Sequence, residues 1–163
     1  MSVPPFGTTT SINFLGDQSF NMTLDAMSDF AERVAVGSEG QQKAPKSLRI
    51  LVVEDHCDTL QALSRLLTHF GHEISVADGA EAALKIIDSK EFDVVLSDIG
   101  LPDGSGYDLI SEAKRRRSIK AVALTGFGTD EDIRRGKAAG FDFHLVKPVD
   151  FHELRTVLGQ IAA

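Results

Sequence analysis

A chain of 163 residues with 42% hydrophobic and 25% charged side chains has enough apolar material for one packed domain plus an extension. A formal net charge of −7 argues against a nucleic-acid backbone as partner, and the single cysteine, Cys57, excludes an internal disulfide. The apolar runs are too short to span a bilayer, and the N-terminus lacks a basic segment followed by an apolar one, so the chain reads as cytoplasmic with no membrane partner.

Residues 1–21 are rich in Thr, Ser, Gly and Pro and show no periodicity. Leu24, Met27, Ala31 and Val34 then recur at helical spacing with Phe30 alongside, which predicts one short amphipathic helix over about 23–35. Such a helix is marginal in water by itself and needs something to dock on. VGSEGQQKAPKS, residues 36–47, reads as a linker, so 1–47 is taken as an N-terminal extension. It carries no basic tail: Arg33, Lys43 and Lys46 stand against Asp17, Asp25, Asp29, Glu32 and Glu39.

From Leu48 onward, short apolar runs alternate with helical periods. The runs are RILVV (49–53), EISVA (73–77), DVVLS (93–97), AVALT (121–125) and FHLV (143–146). Between and after them, helices are predicted over Asp58–Phe70, Ala80–Ser89, Tyr107–Arg117, Asp130–Ala139 and Asp150–Ile161. Five strand–helix repeats imply an α/β fold with a parallel sheet covered on both faces, and the nearly unbroken apolar runs suit strands buried on both sides. Asp58 with Gln61 reads as a capping box for the first helix, while Gly71 and Gly140 stand where a left-handed residue ends a helix. The basic run Lys114 to Arg117 reads as a solvated helix end, where cations suit the helix dipole.

Ligands gather at the carboxyl ends of strands in open parallel sheets. There the sequence places Glu54 and Asp55, Asp98, Thr125 with Gly126, and Lys147 with Pro148. One polar residue at a strand end needs no special account, since it can close the strand or cap the next helix. Three carboxylates, a hydroxyl and an ammonium at matching ends do need one. Like charges so close are costly unless neutralised, and an all-oxygen donor set suits Mg²⁺, with Mn²⁺ as the other choice, over zinc.

The ordered motifs ILVVEDH (50–56), VVLSDIGLPDGSG (94–106), ALTGFG (123–128) and HLVKPV (144–149) resemble the receiver, or phosphoacceptor, domain of two-component response regulators. The resemblance covers 48–163, and the phrase GFDFHLVKPV is similar to receivers attached to hybrid histidine kinases. It implies a flavodoxin-like, doubly wound five-stranded parallel sheet of order 2-1-3-4-5 with five helices. It also implies roles: Asp98 as phosphoryl acceptor, Asp55 as metal ligand, Glu54 as a ligand directly or through water, and the backbone carbonyl of Gly100 as a further ligand. Thr125 corresponds to the hydroxyl that bonds the phosphoryl group, Lys147 to the cation that pairs with it, and Lys147–Pro148 to a cis bond. Pro102 and Gly104 shape the loop after the acceptor.

The family commonly has Tyr or Phe three residues before the lysine, a side chain that turns inward when the threonine moves. Here that position is His144, read either as the switch residue or as a sheet-edge histidine with a solvated ring. Gly100 and Phe127 flank the reaction centre without a polar side chain to orient water, so a long-lived phosphoryl group is expected; the other reading of Phe127 is a loop aromatic packed on a neighbouring helix and pointing away from the site.

The implied function is a phosphorelay switch. A histidine kinase or histidine phosphotransfer protein supplies the phosphoryl group to Asp98, and a downstream protein reads the result on the face formed by 130–139, 143–146 and 150–161. The last predicted helix ends at Ile161 with two alanines after it, so no effector domain is expected within the chain and no enzyme activity on outside substrates. Two other readings differ in chemistry: a phosphorylation-independent scaffold, and a metal-dependent phosphatase.

Overall fold

The computed structural model describes residues 46–126 and 128–163. The predicted helix over about 23–35, nearly all of the predicted linker, and Phe127 lie outside the described residues. The elements run β1 (Arg49–Val53), α1 (Cys57–His69), β2 (Glu73–Ala77), α2 (Ala80–Ser89), β3 (Val94–Asp98), β4 (Gly100–Leu101), β5 (Gly104–Ser105), α3 (Gly106–Arg116), β6 (Lys120–Thr125), α4 (Asp130–Ala139), β7 (Phe143–Val146) and α5 (Phe151–Ala162). The main sheet is parallel with order β2-β1-β3-β6-β7, as expected once the two-residue antiparallel pair β4–β5 is set aside. That short pair was not foreseen.

Alternation along the strands divides the core in two. Leu51, Val53, Val95, Ala121 and Ala123 face a layer made by Ala83 and Ile87 of α2 and Leu109, Ile110 and Ala113 of α3. Ile50, Val52, Val94, Leu96, Val122, Leu124 and Leu145 face Leu63 and Leu67 of α1 and Leu154, Val157 and Leu158 of α5. The central β3 is buried at every residue, whereas the edge strand β2 is buried only at Ala77. With apolar burial worth ~25 cal/mol per Å², these two layers hold the strand ends in place.

The helix ends correct one reading and support another. α1 starts at Cys57, not Asp58; His56 occupies the capping position in extended backbone and no side chain caps it. Asp58 therefore sits inside the first turn, where its charge suits the dipole, and Gln61 Nε2 donates to Cys57 Sγ at 3.1 Å instead of closing a capping box. Gly71 and Gly140 do adopt positive φ, 85° and 106°, just past α1 and α4.

The basic run at the end of α3 is less solvated than expected. Lys114 Nζ pairs with Asp142 at 2.7 Å, and Arg116 reaches Asp88 at 2.7 Å and Glu112 at 2.8 Å. At the domain's N-terminal edge, Ser47 Oγ donates to Gly71 O at 2.7 Å, so the last predicted linker residue is bonded to the domain.

Candidate functional site

The predicted strand-end residues of β1, β3 and β6 are delivered by almost wholly buried strands, and that of β7 by an edge strand buried only at Leu145. β1 leads into Glu54, which is 0% exposed, and then Asp55. β3 ends on Asp98 and β6 on Thr125, both buried. β7 leads into Lys147, followed by a cis bond to Pro148 as the resemblance implied. A backbone bond from Lys147 N–H to Thr125 O at 2.7 Å ties the last two strand ends together.

Lys147 is the hub. Its ammonium donates to Asp98 Oδ2 at 2.8 Å and to Glu54 Oε2 at 2.7 Å. Burial works to lower its pKa, but the hydrogen bonds to Asp98 and Glu54 outweigh that and hold it above the ordinary lysine value. The other Asp98 oxygen, Oδ1, accepts from the Gly100 N–H at 3.2 Å. Behind it Gly106 has no room for a side chain, since a Cβ there would fall 2.3 Å from Asp98 O.

His56 was not assigned a role from sequence, although it directly follows the acidic pair. Its Nδ1 lies 3.1 Å from Glu54 Oε1 and 3.0 Å from Asp55 Oδ1. The bond to Glu54, with the charge of Asp55 next, raises its pKa above the ordinary histidine value. Ligand atoms of Glu54, Asp55, His56 and Asp98 all lie within 4.8 Å of one another. Carboxylate oxygens gathered so closely fit a hard divalent cation, which would offset the like charges.

His144 is placed differently from a solvated sheet-edge ring. Its Nε2 is buried and has no hydrogen-bond partner among the described residues. The ring stands against Gly136 of α4, and its centroid is 5.9 Å from that of Phe141. Burial, with the charge of Lys137 next, lowers its pKa below the ordinary value. Sequence alone could not show this contact, because it depends on how α4 lies over β7.

A doubly wound parallel sheet with an acidic pocket and a bridging lysine at its carboxyl edge defines a class of phosphoryl-accepting switches. The chain belongs to the response regulator receiver domain family, which matches residues 50–159. It is 33% identical over 99% of its length to the virulence sensor protein BvgS of Bordetella bronchiseptica, of which it spans 13%. It is 36% identical over 70% of its length to the two-component response regulator PhoP of Pseudomonas aeruginosa, of which it spans 51%. Among solved structures it is similar to a two-component response regulator from Clostridium difficile, with a TM-score of 0.68, 27% identity, and coverage of 71% of this chain and 95% of that one. A chemotaxis protein CheY4 of Vibrio cholerae gives the same TM-score, 0.68, at 26% identity, covering 71% and 99% of the two chains. The chain is therefore a CheY-like receiver domain of phosphorylation-based two-component signalling.

Proposed function

We propose that Asp98 accepts the phosphoryl group from a phosphohistidine on a histidine kinase or histidine phosphotransfer protein. An Asp98 oxygen attacks phosphorus, the bond from phosphorus to the partner's imidazole nitrogen breaks, and the imidazole leaves with a proton. An aspartyl phosphate results. The observation that carries this reading is Lys147, which bridges Asp98 and Glu54 at 2.8 and 2.7 Å and so stands where charge on the transferring group must be offset.

Mg²⁺, or Mn²⁺ in its place, would be held by Asp55, Asp98 and the carbonyl of Gly100, with Glu54 binding directly or through water; when bound it offsets negative charge on the transferring group. Thr125, at the end of the adjoining strand, bonds the phosphoryl oxygens. His144 couples that bond to the face of α4, β7 and α5, where a downstream protein reads the state. The domain acts in the cytoplasm and turns over no substrate beyond its own phosphoryl group.

The test is incubation with a small phosphodonor and Mg²⁺, followed by intact-mass measurement. One phosphoryl adduct on the wild type and none on Asp98→Asn is expected. An adduct of equal yield on Asp98→Asn contradicts the assignment, and steady turnover of the donor without an adduct favours the phosphatase.

A further inference from the structure

α2 has no cap of its own. Gly79 occupies the capping position, and it has no side chain to accept the first amides. Those amides are satisfied from the loop after the acceptor: Ala80 N–H donates to Asp103 Oδ1 and Glu81 N–H to Asp103 Oδ2, both at 2.8 Å. A carboxylate placed there takes up two donors that a helix start leaves unpaired, at the positive end of its dipole.

Gly79 completes the fit. Its φ of −167° is extended backbone that any residue adopts, so conformation does not require glycine here. The clasp does, because a Cβ at position 79 would lie 2.8 and 2.9 Å from the two Asp103 oxygens, so the carboxylate would have to leave its present place. The absent side chain at 79 and the carboxylate at 103 therefore match each other across the fold.

Asp103 stands in the turn between β4 and β5, and β4 begins at Gly100, which pairs with Ser105. Gly100 is exposed, and among the described residues nothing lies within 4 Å of where its Cβ would be, so no close side-chain packing is seen there. A two-residue ladder by itself is a weak constraint. Its base is held by the Gly100 N–H to Asp98 Oδ1 bond at 3.2 Å and by Gly106 N–H to Ile99 O at 2.8 Å. Its tip is held by Asp103 on α2.

We infer that Asp103 is a positioning residue for the metal site: by clasping the β4–β5 tip to the first turn of α2, it fixes the direction of the Gly100 carbonyl. This rests on the reading above that the Gly100 carbonyl is a ligand. Removing a group that orients a ligand typically weakens metal binding by 10- to 100-fold; a carbonyl that is one ligand of several belongs at the low end.

The experiment is calorimetric titration of the intact chain with Mg²⁺, well below its melting temperature, together with the melting temperature itself. Asp103→Ala should raise the Mg²⁺ dissociation constant about tenfold. Gly79→Ala, which displaces the carboxylate while leaving it in the chain, should reproduce the direction of the change. Asp103→Asn keeps one acceptor oxygen and should fall between, which keeps the test open if Asp103→Ala does not fold. Lys85→Gly weakens α2 at an exposed position, with loss of its exposed ion pair to the Glu81 side chain, and should lower the melting temperature without changing Mg²⁺ affinity. Unchanged affinity in Asp103→Ala and Gly79→Ala, or an equal loss in Lys85→Gly, overturns the inference. If Asp55→Ala binds as the wild type does, or the wild type binds no Mg²⁺, the site reading fails and takes the inference with it.

Discussion

The imidazole of His144 occupies the space where a side chain on Gly136 would begin: a Cβ at position 136 would lie 1.9 Å from His144 Nε2. Gly136 is buried inside α4, and His144 stands on β7, so the pair sets how closely helix and strand approach at the face proposed for output. Phe141 stacks obliquely on the same ring, and Tyr107 of α3 meets Phe141 edge-on at 6.3 Å. Arg135 of α4 lies over Tyr107 at 4.7 Å, which closes a run of contacts from α3 to β7.

This contact predicts a change of sign. Gly136→Ala in the wild type forces the ring outward and should cost about 1–3 kcal/mol. In the His144→Ala background the same substitution meets no ring, and its better helix propensity should stabilise by up to about 1 kcal/mol. Urea melts of the four proteins check this. Additive effects of the two substitutions would show that the residues do not compete for the space.

A pH effect follows from the same burial. His144 and His72 both have pKa values lowered by burial, His144 with a smaller push from Lys137, and His72 Nδ1 accepts the Leu48 N–H at 3.2 Å, which requires a neutral ring on that side. A group depressed in the folded state contributes stability that is present above its unfolded pKa and is lost as pH falls through the folded one. The window opens at about pH 6.5 and extends downward. The contributions of His144 and His72 should therefore fall on acidification from about pH 7 to about pH 5, against an opposite one from exposed His56, whose raised pKa adds stability as pH falls, and His144→Phe should remove the His144 part of the fall. Identical pH slopes for wild type and variant would contradict the assignment to His144.

Lys147 predicts a stability effect separate from phosphorylation. Glu54 is fully buried, while the Lys147 side chain remains 27% exposed. Lys147→Met leaves Glu54 and Asp98 close together without their shared cation. Losing one partner of a buried pair typically costs 3–5 kcal/mol, and the partial exposure of Lys147 places this case at about 3. Adding Glu54→Gln should recover part of the loss. Denaturant titration at neutral pH checks both, and a loss below about 0.5 kcal/mol in Lys147→Met would contradict the role of Lys147 as the cation that Glu54 and Asp98 depend on.

The sheet was legible because its central strands are buried on both faces, which leaves near-continuous apolar runs such as 49–53 and 121–125. The strand-end residues were legible because a parallel sheet places all those ends on one edge. Boundaries moved by a residue where local signals compete: Asp58 looks like a cap, yet His56 takes that position and the helix starts at Cys57. The Asp103 clasp left only a trace in sequence, a helix beginning after glycine with no capping side chain of its own. Its partners lie 22 and 23 residues away, so only the folded chain joins them. The His144–Gly136 contact left no such trace, since a glycine within a helix has several ordinary explanations.

The central claim, that Asp98 carries the phosphoryl group, has one direct measurement. The protein is treated with a small phosphodonor and Mg²⁺, then reduced with borohydride, which converts an aspartyl phosphate to homoserine, and its peptides are mapped by mass. Homoserine at position 98, dependent on the donor and absent from Asp98→Asn, is the predicted result. Homoserine at Asp55 or another carboxylate, or a phosphoryl adduct that yields none at position 98, would contradict it.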